Sequence, residues 1–461
     1  MTNGTLPVTQ RTSLHGFWSS RMAFVLAVSG SAIGLGNIWK FPYITGQNGG
    51  GAFVIVYLLC VFLIGLPIMI SEILIGRRGR RNPITTMGLL GEEEGGQKNW
   101  HLVGAMGVLA GFIILSFYSV IAGWTLGYIV HAARGAFTGA DPAQVGKLFS
   151  ATTGVWWISA VLHTLFMIMT VVVVARGVER GLEQAVRILM PSLFVLLIVM
   201  LGYSAVSGHF ERGFEYMFAA DFSKLTPYSI LAALGHSFFT LSVGICAVMA
   251  YGAYLPQSTS IISASFTVVV ADTLVSLIAG LVIFPIVFAN GLAPDEGPGL
   301  VFLTLPLAFG NMPAGAFFGA LFFVLLSFAA WTSAIGLIEP AVAWAVERRG
   351  LTRARAAAIV GTIVWTLGFA TVFSFNVLAD VRFWRGSIFA NIDFFASNIL
   401  LPLGGLFITL FAGWIICRNA SADELDVGTG SRYRAWRFLT RYVAPVGVVL
   451  IFLHAVGFFA P

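Results

Sequence analysis

The chain has 461 residues, of which 58% are hydrophobic and only 10% charged, with a mean hydropathy of +0.89. Apolar runs of about 20 residues, the length a helix needs to cross hydrocarbon, exclude a soluble globular domain, and the lack of polar/apolar alternation excludes a β-barrel. The excess of 26 Lys and Arg over 20 Asp and Glu sits in short clusters between apolar runs, which is a topology signal and not a nucleic-acid surface.

The first 20 residues are polar and lack the apolar core of a signal peptide, so residues 1–16 read as a cytoplasmic tail. Windows of about 20 residues then predict eleven transmembrane helices in an all-α membrane protein. They lie near 17–44, 51–76, 101–133, 155–175, 184–206, 227–254, 261–289, 315–346, 354–375, 388–416 and 440–459. With the N-terminus inside, nineteen Lys and Arg fall on the inner side against six outside, and Lys40 lies within the first span. This bias predicts a multi-pass protein of a bacterial-type inner membrane with a cytoplasmic N-terminus and, from the odd count, a C-terminus outside. Cys60, Cys246 and Cys417 are odd in number, show no CxxC spacing and lie in or beside apolar runs, so they read as reduced packing residues.

Two spans are interrupted. The first holds residues 29–37 (SGSAIGLGN), whose glycines and serines make a continuous helix unfavourable and free backbone carbonyls. The sixth holds residues 238–247 (FFTLSVGICA). Breaks at matching places in two successive sets of five predict inverted repeats, 17–206 and 227–416, with a site at the midplane between them. Residues 417–461 form a linker and the eleventh helix. The stretches 207–226 and 290–314 read as outer loops, the second with an apolar run, 299–307, that dips back as a lid, and 418–434 as a charged inner linker. No Walker-type phosphate loop is present, so ATP is not the energy source, and no nucleophile–base pair or HExxH motif points to an enzyme.

Within the spans lie Lys40, Glu72, His163, His236, Asp272, Glu339, Asp393 and His454. A charge at a helix centre costs about 2.5–3.5 kcal/mol on insertion scales, so each needs a partner or a function. Asp272, inside VVVADTLV with no opposite charge on its helix, suits a hard cation; a protonated carboxyl hydrogen-bonded in the core is the other reading. Asn37, Thr240 and the run 329–333 (AAWTS) add uncharged oxygens beside the breaks. Glu72 and Glu339 read as structural groups bonded to unwound backbone, and His163 and His454 as packing histidines.

Residues 29–42 (SGSAIGLGNIWKFP), followed by 47–53 (QNGGGAF), closely resemble the first-helix signature of the neurotransmitter:sodium symporters. Matches at 123–127 (GWTLG), 238–242 (FFTLS), 332–333 (TS) and 339–340 (EP) extend the resemblance from about residue 15 to 416. It implies the leucine-transporter-like fold, a midplane substrate site and two sodium sites. The first sodium would be held by the Ala32 carbonyl, Asn37, Thr240 and Asp272 with the substrate carboxylate. The second would be held by the carbonyls of Gly30, Ile33 and Ala329 and the hydroxyls of Thr332 and Ser333. The substrate carboxylate would meet the amides of Leu35 and Gly36 and the Tyr118 hydroxyl, and the amine would meet carbonyls at Ala32, Phe239 and Thr240 and the Ser242 hydroxyl. Ile114, Tyr118, Phe239, Ser242, Ile245, Ser333 and Leu337 would line the side-chain pocket.

Departures from the family pattern sharpen the expectation. Gly34 stands where monoamine carriers place an Asp, which points to amino acids, and the apolar lining points to neutral, hydrophobic ones, with aliphatic and aromatic both open. Asp272 stands for the usual Asn beside a chloride lined by matches of Tyr57, His236, Thr240 and Ser276, so transport independent of chloride is expected. His236 replaces a Gln, either as a proton carrier or as a neutral hydrogen-bonding group. Lys40 and Asp393 match an outer-gate Arg–Asp pair. At the inner gate Trp18 matches, while the family's Arg is His15, so either His15 or Arg11 partners Glu347. The expected partners are a neutral amino acid, sodium ions and the bilayer, with no nucleic acid and no obligate protein. The rival readings are an amino-acid-binding sensor and a proton-coupled carrier on the same fold.

Overall fold

The computed structural model describes residues 11–292 and 299–458. Residues 1–10 of the expected tail, 293–298 of the second outer loop and 459–461 of the last segment lie outside the described residues. Among the described residues, nine continuous helices are long and apolar enough to cross a bilayer: Gly51–Gly79, Lys98–Ala133, Trp156–Ala175, Val178–Val206, Ile261–Ala289, Gly315–Arg349, Arg353–Ser374, Ile388–Ile415 and Ser431–Ala455. Arg21–Ala32 and Gly36–Gln47 form one more segment, bent by 53° at its break. The sixth segment is two helices, Pro227–Thr240 and Ala247–Ala253, parted by residues 241–246. The all-α membrane fold follows, whereas a total of eleven rests on taking that divided segment as one crossing.

Local sequence sets the two breaks. Ser20 caps the first helix by accepting from the Ala23 amide, and the helix stops where Ile33 turns to an extended backbone (ψ 107°). Thr226 and Pro227 start the sixth segment as N-cap and first helical residue. Past Thr240, Ser242, Gly244 and Cys246 all take positive φ (51°, 89° and 60°), a backbone costing roughly 1–3 kcal/mol for each non-glycine residue and therefore tolerated only where the surroundings enforce it. Gly244 is required there: a Cβ would meet the Leu401 carbonyl.

The loops hold more helix than hydropathy shows. Pro83–Gly95, Pro142–Thr153 and Phe210–Phe218 are helical, and the inner stretch read as a linker contains the helix Arg418–Leu425 and the start of the last segment at Ser431. The expected lid is a helical run, Leu300–Gly310, whose Phe302 carbonyl accepts from the Tyr128 hydroxyl at 2.9 Å. The long helix Gly315–Arg349 runs beside both the first segment and the third, and this places its Thr332–Ser333 pair against the first break.

Candidate functional site

The first break, the sixth break and the seventh and eighth segments converge on one buried polar cluster. The Asn37 side-chain nitrogen lies 2.7 Å from Thr240 Oγ1, 2.7 Å from Asp272 Oδ1 and 2.9 Å from Ser276 Oγ, while its oxygen accepts from the Gly34 amide at 2.9 Å. Thr240 Oγ1 donates to the other Asp272 oxygen at 3.0 Å. Asn37, Thr240 and Asp272 are all at least 99% buried, and among the described residues no Lys, Arg or His forms an ion pair with Asp272. Oxygen donors with a net negative charge, shielded from water, make a setting for a hard cation.

A second group of oxygens gathers on the other side of the first break, around Ser333. Ser333 Oγ lies 3.1 Å from the Ile33 carbonyl and 3.3 Å from the Gly30 carbonyl, and Thr332 Oγ1 lies 3.1 Å from the Ala329 carbonyl. Glycine allows the approach, since a Cβ on Gly30 would stand 3.1 Å from Thr332 Cβ. The five residues expected at a second sodium are therefore neighbours, the Gly30 and Ile33 carbonyls at the break facing the Thr332–Ser333 pair.

Between the groups lies a cavity lined by Ala32, Gly34, Leu35, Gly36, Ile114, Tyr118, Phe239, Ser242, Ile245, Ser333, Leu337 and Leu401. Every residue expected to contact substrate is in this wall except Thr240, which faces the cation cluster. The Tyr118 hydroxyl accepts from the Leu35 amide at 3.2 Å, just before the helix from Gly36 whose N-terminal end favours an anion. Ser242 donates to the Ser31 carbonyl at 3.0 Å and so ties the two breaks together. A Cβ on Gly34 would stand 2.5 Å from Ser333 Oγ and 2.8 Å from the Tyr118 hydroxyl, so the wall closes on that glycine. Gly34 and Leu401 are wall residues that the sequence reading did not place in the pocket; Leu401 carries no local signal, being one leucine in an apolar helix.

The flanking groups fall as follows. Glu72 accepts from the Gly244 and Met249 amides at 2.6 and 3.2 Å, as expected of a carboxylate serving the unwound backbone. Among the described residues Glu339 meets no unwound backbone; it pairs with Arg353 and takes the Tyr254 hydroxyl at 2.8 Å. His15 Nε2 lies 2.9 Å from Glu347, which also accepts from Asn82, whereas Arg11 pairs with Glu93. Trp18 Nε1 donates to the Tyr251 carbonyl at 3.0 Å. At the expected outer gate Lys40 Nζ sits 4.1 Å above the Phe239 ring and Asp393 accepts from Ser397 at 2.8 Å; the two are not ion-paired with each other. His236 lies against Phe41 and Tyr57, and neither ring nitrogen has a hydrogen-bond partner among the described residues. His163 bonds the Trp365 carbonyl at 3.1 Å, and His454 packs edge-on to Tyr228.

Known proteins resemble this chain in both sequence and fold. The family model described as the sodium:neurotransmitter symporter family matches residues 15–141 and 146–461. An uncharacterized sodium-dependent transporter of Bacillus subtilis (strain 168), YhdH, is 38% identical over 95% of this chain and 97% of its own. The sodium-dependent neutral amino acid transporter B(0)AT2 of Bos taurus is 27% identical over 58% of this chain and 40% of its own. Among solved structures, the crystal structure of MhsT in complex with L-phenylalanine superposes with a TM-score of 0.88 at 41% identity, covering 95% of this chain and 99% of that one.

Proposed function

The chain belongs to the sodium:neurotransmitter symporter family and is a sodium-dependent membrane transporter; on that premise we propose that it carries neutral, hydrophobic L-amino acids inward with sodium, by alternating access and without chloride. The observation that carries this reading is the apolar cavity walled by residues next in sequence to both oxygen groups: Gly36 and Phe239 adjoin Asn37 and Thr240 of the Asp272 cluster, and Ser333, in the wall itself, reaches the Gly30 and Ile33 carbonyls.

In the proposed cycle a first sodium enters beside Asp272. Reversal of the Asn37 amide turns its oxygen to the ion, which replaces the hydrogens now shared with Thr240, Asp272 and Ser276. The substrate carboxylate completes that site from the Leu35 and Gly36 amides and the Tyr118 hydroxyl, which couples substrate to ion directly. A second sodium between the first break and Ser333 fixes the inner half of the first segment. The apolar remainder of the wall, Ile114, Phe239, Ile245 and Leu337, favours an uncharged, apolar side chain. A bound phenylalanine in the relative MhsT supports that class. Chloride independence rests on Asp272, whose carboxylate brings the negative charge, and an inner-membrane location with the N-terminus inside rests on the Lys and Arg bias. The repeats 17–206 and 227–416 would move against each other around the site.

The test is uptake of labelled neutral amino acids into proteoliposomes under an inward sodium gradient, with potassium as the control. Accumulation only with sodium supports the symporter. Accumulation driven equally by a proton gradient, or binding without accumulation, overturns it in favour of a proton-coupled carrier or a sensor.

A further inference from the structure

Two cavities meet at the tenth segment. The inner one is the proposed substrate cavity, about 30 Å³ as it stands; the outer one, about 270 Å³, is lined by Lys40, Tyr43, Tyr228, His236 and Ser397 among others. Only Phe239 and Leu401 belong to both walls among the described residues. Phe239 lies under the Lys40 ammonium. Leu401 is 97% buried.

The backbone fixes where Leu401 stands. A widened helical turn, Phe395–Leu400, runs directly into it, and such turns displace the residues that follow out of ordinary helical register. Pro402 brings no N–H to the helix after it. Gly404 and Gly405 then let the tenth segment lie directly on the sixth break: a Cβ on Gly404 would overlap the Gly244 carbonyl, and a Cβ on Gly405 would stand 2.5 Å from the Phe238 ring. A Cβ on Gly244 would in turn strike the Leu401 carbonyl. The Leu401 backbone is therefore held against residues 241–246, the run that also supplies Ser242 and Ile245 to the inner wall, and it has no room to withdraw.

We infer that Leu401 is a specificity-determining residue of the transporter: its isobutyl group closes the inner cavity toward the outer one and sets how long a substrate side chain is accepted. This rests on the function proposed above. Phe239 and Leu401 form the partition together, and Leu401 is the half whose backbone the packed glycines hold in place. Removing three carbons by Leu401→Ala joins the small inner cavity to the larger outer one, whereas Leu401→Phe extends the partition inward.

The experiment compares wild type, Leu401→Ala and Leu401→Phe in sodium-driven proteoliposome uptake and in equilibrium binding in detergent, with L-alanine, L-leucine, L-phenylalanine and L-tryptophan as competitors. One methylene in an apolar pocket changes affinity by roughly tenfold or more, so the tryptophan-to-alanine affinity ratio should rise by about tenfold in Leu401→Ala and fall by a similar factor in Leu401→Phe. The binding arm still reads the ratio if a variant binds but no longer cycles. Ratios equal to wild type in both variants, or all four competitors weakened by one common factor, overturn the inference. A wild type that neither binds nor takes up any of the four overturns the proposed function instead, so the two failures are distinguishable.

Discussion

The Asn37 amide nitrogen lies 2.7 Å from the Asp272 carboxylate, inside a cluster where, among the described residues, no basic side chain pairs with that carboxylate. Hydrogen bonds to an ionised group contribute about 1.5–3 kcal/mol each, which leaves such a carboxylate incompletely compensated until a cation arrives. Asp272→Asn keeps the shape and removes the charge. The expected outcome is a sodium requirement raised about tenfold or more, or an acquired dependence on chloride. The measurement is uptake across a sodium series in chloride and in gluconate buffers. A mutant with wild-type sodium dependence and the same uptake in both buffers would exclude Asp272 from the ion site.

Ser333→Ala deletes the hydroxyl that bridges the Gly30 and Ile33 carbonyls. If a second sodium binds there, half-maximal sodium for substrate binding rises about tenfold, by the loss of about one hydrogen-bond-sized ligand, and the Hill coefficient falls toward one. Radioligand binding across a sodium series checks both. An unchanged Hill coefficient with unchanged affinity would remove this second site.

Gly34→Asp introduces a side chain where even a Cβ would lie 2.5 Å from Ser333 Oγ and 2.8 Å from the Tyr118 hydroxyl. Overpacking a filled wall costs roughly 1–3 kcal/mol, and here it also puts a carboxylate beside the position proposed for the substrate's own. Amino-acid uptake is expected to fall by about a hundredfold, in line with that upper figure. Wild-type uptake by the mutant would mean that the substrate carboxylate does not sit against Leu35, Gly36 and Tyr118.

Arg77, 2% exposed, pairs with Glu424 from the short helix Arg418–Leu425 and also reaches the Thr259 carbonyl at 2.6 Å. The pair fastens that helix beside the loop that follows the sixth segment. Breaking a buried pair from one side costs about 3–5 kcal/mol, because the remaining charge stays desolvated. Glu424→Ala is therefore expected to melt several degrees lower by thermal-shift chromatography in detergent, and Arg77→Met combined with Glu424→Leu to recover part of the loss. A Glu424→Ala protein that melts with wild type would show the pair to be free of net effect.

Much of this was legible in the sequence because the features are local. The breaks are written in SGSAIGLGN and FFTLSVGICA, where glycines and serines fall together in otherwise apolar runs, and the structure parts its helices at Ile33 and over 241–246. Asp272, Asn37, Thr240 and the run 329–333 stood out as oxygens in or beside the breaks, but their sorting into two groups, with the carbonyls of Gly30, Ile33 and Ala329, came through resemblance alone, since nothing in Ala329 or Ile33 by itself points to an ion. Contacts between distant stretches were not legible. Glu339 meets Arg353 across the turn between two helices, and Glu347 meets His15 more than three hundred residues away. The inner helix Arg418–Leu425 was hidden because eight mostly polar residues leave no mark in a window sized for a bilayer. Leu401 was hidden for the opposite reason, as an ordinary leucine whose importance comes only from the glycines packed behind it.

The bend at the first break also has a mechanical side. The rod from Arg21 to Ala32 has 12 residues, about 18 Å at 1.5 Å per residue, so a tilt of about 10° pivoting at Ile33 swings its far end by roughly 3 Å. That swing is comparable to the 3.0 Å reach by which Trp18 grips the Tyr251 carbonyl. In the proposed cycle, an event of ångström size among the Gly30, Ile33 and Ser333 oxygens would thus be geared up, by length alone, into a displacement large enough to part Trp18 from Tyr251.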